Sequence, residues 1–310
     1  MMKKGGESMK AFLEELVNQH RPSVGEGKLA DYIPQLSEQD PTALGISVRT
    51  CDGEVYSAGD CPERFTMQSI SKVITLILAL MDRGGEAVFE RVGMEPTGDP
   101  FNSIYKLEQA PGKPLNPMIN AGALVVSSLI KGSTVEERVG RVLSLVRRMA
   151  ENPKIELDHA VYYSERATGF RNRSMAYFLK EFGMIEDVEA TLELYFQQCS
   201  IAINCDDLAQ MGLCLARLGQ NDAGEQVIPR ELARLVKTFM VTCGMYNASG
   251  EFAILAGIPA KSGVSGGILA SVPERMGIGV FGPALDEKGN SVGGVRLLKG
   301  LSRELNLSIF

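Results

Sequence analysis

The chain has 310 residues, 45% of them hydrophobic and 23% charged, with a net charge of -6. That content supports one large domain or two, while the acidic balance and the lack of any basic run longer than Lys3-Lys4 or Arg147-Arg148 oppose a nucleic-acid role. The longest apolar run, Val73 to Met81, falls far short of the ~20 residues that cross a bilayer, and Lys3-Lys4 is followed by Gly5-Gly6-Glu7 rather than the apolar core of a signal peptide. The expected location is therefore the cytoplasm, with neither membrane nor nucleic acid as partner.

Residues 8–20 carry apolar side chains at helical spacing. After a polar loop and the short segment Ala30 to Leu36, Gly45 to Thr50 alternates like a strand, and Asp52-Gly53 turns the chain into a second strand at Val55 to Ala58. A helix opens at Ser69 and stays free of charge from Val73 to Met81, which predicts burial on every side. Helical periodicity then recurs at 118–131, 134–150, 173–182, 186–197, 205–218 and 229–240. Strands return at Ala253 to Gly257, Gly263 to Val272 and Met276 to Phe281, followed by a turn near Glu287 to Asn290 and a last helix from Ser291 to Leu305. Strands at both ends with helices between them imply an α/β (α+β) chain. Its sheet is assembled from about 1–65 and 246–310, and a helical lobe is inserted over about 66–245. A cleft between sheet and lobe is the natural place for a site.

The six cysteines, at 51, 61, 199, 205, 214 and 243, form no Cys-x-x-Cys pair and have no nearby histidine. They read as reduced thiols, mostly interior, and neither a metal site nor a disulfide framework is expected. With only His20 and His159 in the chain, both in polar surroundings, a histidine-based triad has few candidates. A nucleophile would need lysine or tyrosine as its base.

Ser69 and Lys72 meet that requirement, because residues three apart on a helix share a face. The helix start favours negative charge near Ser69, and a lysine at the edge of a buried helix loses proton affinity through desolvation. Two other Ser-x-x-Lys matches exist, Ser103 to Lys106 and Ser128 to Lys131, but neither serine begins a helix. Far along the chain, Lys261-Ser262-Gly263 leads into a glycine-rich strand that can return to the same cleft. The pairing points to a serine acyl enzyme.

Several motifs stand in the order found in the serine-dependent glutaminases: Gln68-Ser69-x-x-Lys72, Asn116-Pro-Met-Ile-Asn-Ala-Gly122, Ser164-Glu-Arg166 with Arg171-Asn172, Tyr195-Phe-Gln197, Cys243-Gly-Met-Tyr246 and Pro259-Ala-Lys-Ser-Gly-Val264. The sequence resembles a bacterial member of that family over nearly its whole length. The resemblance implies a fold like that of the serine β-lactamases and DD-peptidases, an antiparallel sheet from both chain ends carrying an all-helical lobe. It implies hydrolysis of L-glutamine to L-glutamate and ammonia, no cofactor, and a homodimer or homotetramer. It also implies Ser69 as nucleophile, Lys72 as its base partner and Tyr246 as a sharer in proton transfer, with the amides of Ser69 and Val264 as the oxyanion hole. Tyr32 and Gln68 line the pocket by the same token, and Asn120, Glu165, Asn172 and Tyr195 hold the amino-acid end of the substrate. Lys261, Ser262 and Gly263 support the site.

The chemistry of glutamine agrees, since a zwitterion needs an anion such as Glu165 for its ammonium group and donors such as Asn120, Asn172 and Tyr195 for its carboxylate. Two rivals belong beside this reading. A β-lactamase or penicillin-binding acyl enzyme would add a Ser-x-Asn or Tyr-x-Asn element, and no asparagine here has serine or tyrosine two positions before it. A silent glutamine sensor would not need the Ser69, Lys72 and Tyr246 set.

Overall fold

The computed structural model describes residues 6–104 and 112–310; Lys3-Lys4 and Lys106 of the second Ser-x-x-Lys match lie outside the described residues. The first helix, α1 (Gly6–His20), turns Leu13, Leu16 and Val17 into the core. Strands β1 (Gly45–Thr50) and β2 (Val55–Gly59) form the expected hairpin, with Gly53 in its turn at φ +89°. On the other edge of β1 lies β8 (Met276–Phe281), and β7 (Gly267–Val272) and β6 (Ala260–Ser262) complete a five-stranded antiparallel sheet in the order β2-β1-β8-β7-β6. Both chain ends thus share one sheet, as the strand pattern predicts. Ile46, Val280 and Ile268 stand in one row across its centre, fully buried against α1 and the last helix, α11 (Val292–Leu305).

The opposite face is covered by α8 (Cys205–Ala216), and the contact is close because β8 omits side chains there. A Cβ on Gly277 would lie 2.0 Å from the Leu213 nitrogen, and one on Gly279 2.1 Å from the Cys205 oxygen. Beyond α8, a second apolar cluster joins the buried stretch of α2 (Ser71–Arg91) to α3 (Asn120–Ser128), α4 (Val135–Ala150) and α7 (Val188–Cys199). Ten consecutive residues of α2, Ser71 to Leu80, are buried, which matches the uncharged run in the sequence. Three very short strands, β3 (Phe65–Thr66), β4 (Glu156–Leu157) and β5 (Ile201–Ile203), tie the entry of α2 to this helical region in the order β3-β5-β4. No described helix is long and apolar enough to cross a membrane.

Three local expectations need correction. The predicted strand from Ala253 to Gly257 is instead the end of a short helix, α10 (Ser249–Leu255), which leaves Ile254 85% exposed. Its β-branched and apolar run suits a strand, but Ser249 fixes the turn before it by accepting from the Met245 amide and donating to the Tyr246 carbonyl. The strand expected from Gly263 starts at Gly267, because 263–266 form a tight turn with Gly266 at φ +93°, and Lys261-Ser262 is itself strand β6. Between 150 and 173 the periodicity was too weak to show α5 (His159–Thr168), which lies just ahead of α6 (Phe170–Glu181). The cysteines follow expectation: all six are free, and all but Cys51 are buried.

Candidate active site

Ser69 lies in a 3₁₀ turn, Gln68–Ile70, that feeds the chain into α2. Gln68 has φ +48°, a left-handed conformation that costs a non-glycine residue about 1 kcal/mol or more. Two hydrogen bonds hold it: the Ser71 hydroxyl donates to the Gln68 carbonyl at 2.7 Å, and Gln68 Nε2 donates to Thr66 Oγ1 at 3.2 Å. The turn presents Ser69 at a cavity wall and sets Lys72 one helical turn behind it. Lys72 is 1% exposed, and its Nζ lies 3.1 Å from Ser69 Oγ and 2.6 Å from Asn120 Oδ1. Burial lowers the Lys72 ammonium to about 8, with Cys199 and Glu165 opposing the shift. An amine at that value is available as a base near neutral pH.

Asn120 is delivered to Lys72 by the Asn-Pro turn that precedes α3. The Asn116 side chain accepts from the amides of Met118 and Ile119, and the Asn120 amide donates to the Phe101 carbonyl at 2.9 Å. Gly122 lets the helix close onto that turn, since a Cβ there would lie 1.9 Å from the Asn116 oxygen. Asn120 Nδ2 in turn donates to Asn172 Oδ1 at 3.0 Å, so Ser69, Lys72, Asn120 and Asn172 form one connected row.

The row opens on a cavity of about 330 Å³ whose wall also carries Tyr32, Gln68, Glu165 and Tyr195. Glu165 comes from α5, whose start Asp158 caps by accepting from the Val161 amide, and Tyr195 comes from α7, capped in the same way by Asp187. Tyr195 is buried, whereas Tyr32 stands about half exposed at the rim. Glu165 is 7% exposed, and its Oε2 has no hydrogen-bond partner among the described residues. Burial pushes its carboxyl up to about 8, and Lys72 pulls against that rise. An enclosed carboxyl with an unpartnered oxygen on a cavity wall can receive a cation.

Tyr246 approaches Ser69 from the sheet side. It also has a left-handed backbone, φ +51°, at the start of a 3₁₀ turn, and its ring packs on Phe101 with centroids 4.6 Å apart. The phenol donates to the Ser262 carbonyl at 3.2 Å. Burial raises the phenol well above its usual value, and the neighbouring Ser69 hydroxyl works against that rise. Gly263 touches the residues before Ser69, because a Cβ there would lie 2.6 Å from the Met67 oxygen. Val264, the next residue, is buried in the same cluster as Tyr246. Lys261 is fully buried behind Tyr246, with its Nζ 4.4 Å from the centre of that ring.

Tyr32, Gln68, Ser69, Asn120, Glu165, Asn172 and Tyr195 therefore line one cavity, with Lys72 behind Ser69 and Tyr246 beside it. Sequence reasoning missed Phe101, which packs on Tyr246 and has Lys72 Nζ 5.8 Å from its ring centre, and also Ile33, Asn102, Thr168, Gly169 and Cys199 on the cavity wall; Arg171 stood in a family motif without a role. Phe101 sits in an aperiodic Pro-rich loop that carries no pattern; Gly169 was findable as the break between α5 and α6. No cluster of three histidine, cysteine or acidic side chains suited to a metal occurs among the described residues.

The chain is similar to several known proteins over nearly its whole length. The family model described as Glutaminase matches residues 27–310. A glutaminase of Geobacillus thermodenitrificans is 57% identical over 307 residues, which span 98% of each chain. A probable glutaminase from Bacillus subtilis complexed with 6-diazo-5-oxo-L-norleucine superposes with a TM-score of 0.90 at 43% identity, covering 100% of this chain and 99% of the other. A covalent complex of a Bacillus subtilis glutaminase with 5-oxo-L-norleucine, formed by reaction with that diazo compound, gives a TM-score of 0.88 at 42% identity over 97% and 99% of the two chains.

Proposed function

The chain belongs to the glutaminase family, with its β-lactamase-like fold, and is a glutamine amidohydrolase; from that premise we propose which residues perform the reaction. Ser69 Oγ attacks the side-chain amide carbon of L-glutamine while Lys72 Nζ, 3.1 Å away, takes the hydroxyl proton. The backbone amides of Ser69 and Val264 hold the oxyanion. Tyr246 and Lys72 return a proton to the departing nitrogen, which leaves as ammonia, and a γ-glutamyl ester remains on Ser69. Water, deprotonated through the same pair, hydrolyses that ester and restores the hydroxyl. The covalent complex that a Bacillus subtilis glutaminase forms with 5-oxo-L-norleucine supports a reaction through a protein nucleophile.

The amino-acid end of the substrate lies across the cavity. Glu165 receives the ammonium group, while Asn120, Asn172 and Tyr195 donate to the carboxylate, with Gln68 and Tyr32 shaping the wall and rim. The observation that carries this reading is the pairing within one cavity of a serine-lysine contact and a buried carboxylate whose Oε2 has no other partner. Lys261, Ser262 and Gly263 back Tyr246 from the sheet.

A homodimer or homotetramer in the cytoplasm belongs to the same proposal. Exposed large side chains such as Phe170, Tyr177, Ile254 and Phe310 offer surface for assembly, and six free cysteines suit a reducing compartment. The division into a sheet lobe of about 1–65 and 246–310 and a helical lobe of about 66–245 is supported by the separate apolar clusters on the two faces of the sheet. The test is an assay of ammonia and glutamate from glutamine, run beside asparagine and a chromogenic β-lactam, with wild type and Ser69→Ala. Glutamine turnover that disappears in the variant is expected. Retention of more than about a tenth of the activity would remove Ser69 as nucleophile, since losing a nucleophile costs far more.

A further inference from the structure

The ammonium and carboxylate of the substrate are received from different helices, and a single residue joins those helices. Glu165 lies in the last turn of α5 and Asn172 in the first turn of α6, while Gly169 between them closes the one and opens the other, its carbonyl accepting from the Arg173 amide at 3.0 Å. Gly169 stands on the cavity wall with both. It has no room for a side chain: a Cβ there would lie 2.6 Å from Phe196 Cζ, 2.7 Å from Phe196 Cε1 and 2.8 Å from the Glu165 carbonyl oxygen. Its φ of -73° is ordinary for any residue, so close approach and not handedness calls for glycine here. The ring it meets has little space to step back. Phe196 is 1% exposed, with the Arg173 guanidinium 5.4 Å from its centre and tied down by donation to the Arg166 carbonyl at 2.6 Å. Phe196 also follows Tyr195 in α7, and the two rings meet edge to face with centres 6.2 Å apart.

We propose that Gly169 is a specificity-determining residue: its contact with Phe196 sets the separation between the ammonium receptor, Glu165, and the carboxylate donors, Asn172 and Tyr195. The inference rests on the assignment of those three residues to the amino-acid end of the substrate. In an α-amino acid the ammonium and carboxylate hang from one carbon, so their receptors serve at one spacing only, and misplacement by about 1 Å can cost about a hundredfold. A Cβ at position 169 is a wedge at the point where the three supports meet. It pushes the Glu165 carbonyl, and with it the last turn of α5, away from α6, and it presses on the ring that adjoins Tyr195. Ser69 and Lys72 are carried by α2 and the turn before it, outside this junction, so the wedge acts on recognition and spares the attack.

The experiment measures kcat and KM of Gly169→Ala, Phe196→Leu and the double variant, for glutamine and for 5-amino-5-oxopentanoate, which lacks the ammonium group. Gly169→Ala is expected to raise KM for glutamine about 10- to 100-fold with kcat within about threefold of wild type, and to lower the kcat/KM preference for glutamine over the analogue at least about fivefold. Leucine at 196 lacks Cζ and Cε1, the ring atoms that the Cβ meets, so adding Phe196→Leu to Gly169→Ala is expected to recover at least about threefold of the lost KM. An unchanged KM, a loss equal on both substrates, or no recovery in the double variant would overturn the inference. Should Glu165→Gln leave both KM and the preference unchanged, the reading of the amino-acid end fails and takes the inference with it; that failure is distinguishable because it appears with Gly169 intact. If circular dichroism shows that Gly169→Ala does not fold, the double variant compared with Phe196→Leu alone carries the same expectations for KM and for the preference.

Discussion

Replacing Asn120 by aspartate tests the electrostatics of the nucleophile's base with almost no change of shape. The new carboxylate would stand where Oδ1 now lies, 2.6 Å from Lys72 Nζ. An opposite charge at such range favours the charged form by about 1 to 3 pKa units. Lys72 titrates at about 8 in the present site, so in the variant it moves to roughly 9 to 11. At pH 8 the neutral fraction falls from about a half to between about a tenth and a thousandth, and kcat is expected to fall about 5- to 500-fold. The loss is conditional: kcat should climb about tenfold per pH unit until the new limb is reached. Asn172, which now accepts from Asn120, can turn its amide to donate to the carboxylate, and thermal unfolding at pH 7 should be unchanged or slightly improved. The assay is ammonia release at saturating glutamine from pH 6 to 10.5 for both proteins. A uniform loss at every pH, with the limb still near 8, would refute the assignment of Lys72 as the titrating base.

Glu165→Gln should raise KM for glutamine about 10- to 100-fold while sparing the 5-amino-5-oxopentanoate analogue that lacks the ammonium group; equal losses on both substrates would discard its cation-binding role. In that variant the acid limb of kcat should also move below 8, because Glu165 raises Lys72 in the present site. Wild-type kcat/KM should rise with pH toward about 8 and then level, since Lys72 must be neutral and Glu165 ionised in the binding form; the limb belongs to the coupled pair, and a flat profile from pH 6 to 9 would contradict it. Gly279→Ala places a Cβ 2.1 Å from the Cys205 oxygen and is expected to destabilise the fold by about 2 kcal/mol or more, visible as a lower Tm; an unchanged Tm would mean that α8 can move off the sheet.

Much of this arrangement was legible in the residues, and the exceptions have physical causes. The hairpin at Asp52-Gly53 and the buried α2 were readable because turn chemistry and an uncharged run are local signals. The row of Ser69 and Lys72 was readable from helical spacing, and the remoter partners came through the family motifs. Strands β7 and β8 are buried along their full length, so they carry no polar alternation to mark their ends, and the turn at 263–266 was absorbed into a strand. Helix α10 looked like a strand because Phe252, Ala253, Ile254 and Leu255 are apolar, while the contacts of Ser249 that start it are tertiary in effect. Phe101 and the burial of Lys261 depend on how distant segments pack, which no local pattern records.

The most direct measurement of the central claim is covalent labelling. Incubation with 6-diazo-5-oxo-L-norleucine, followed by proteolysis and mass spectrometry, should place a single 5-oxo-norleucine adduct on Ser69, with none on Ser69→Ala and slower labelling of Lys72→Ala. An adduct on another residue, or undiminished labelling of Ser69→Ala, would contradict the account.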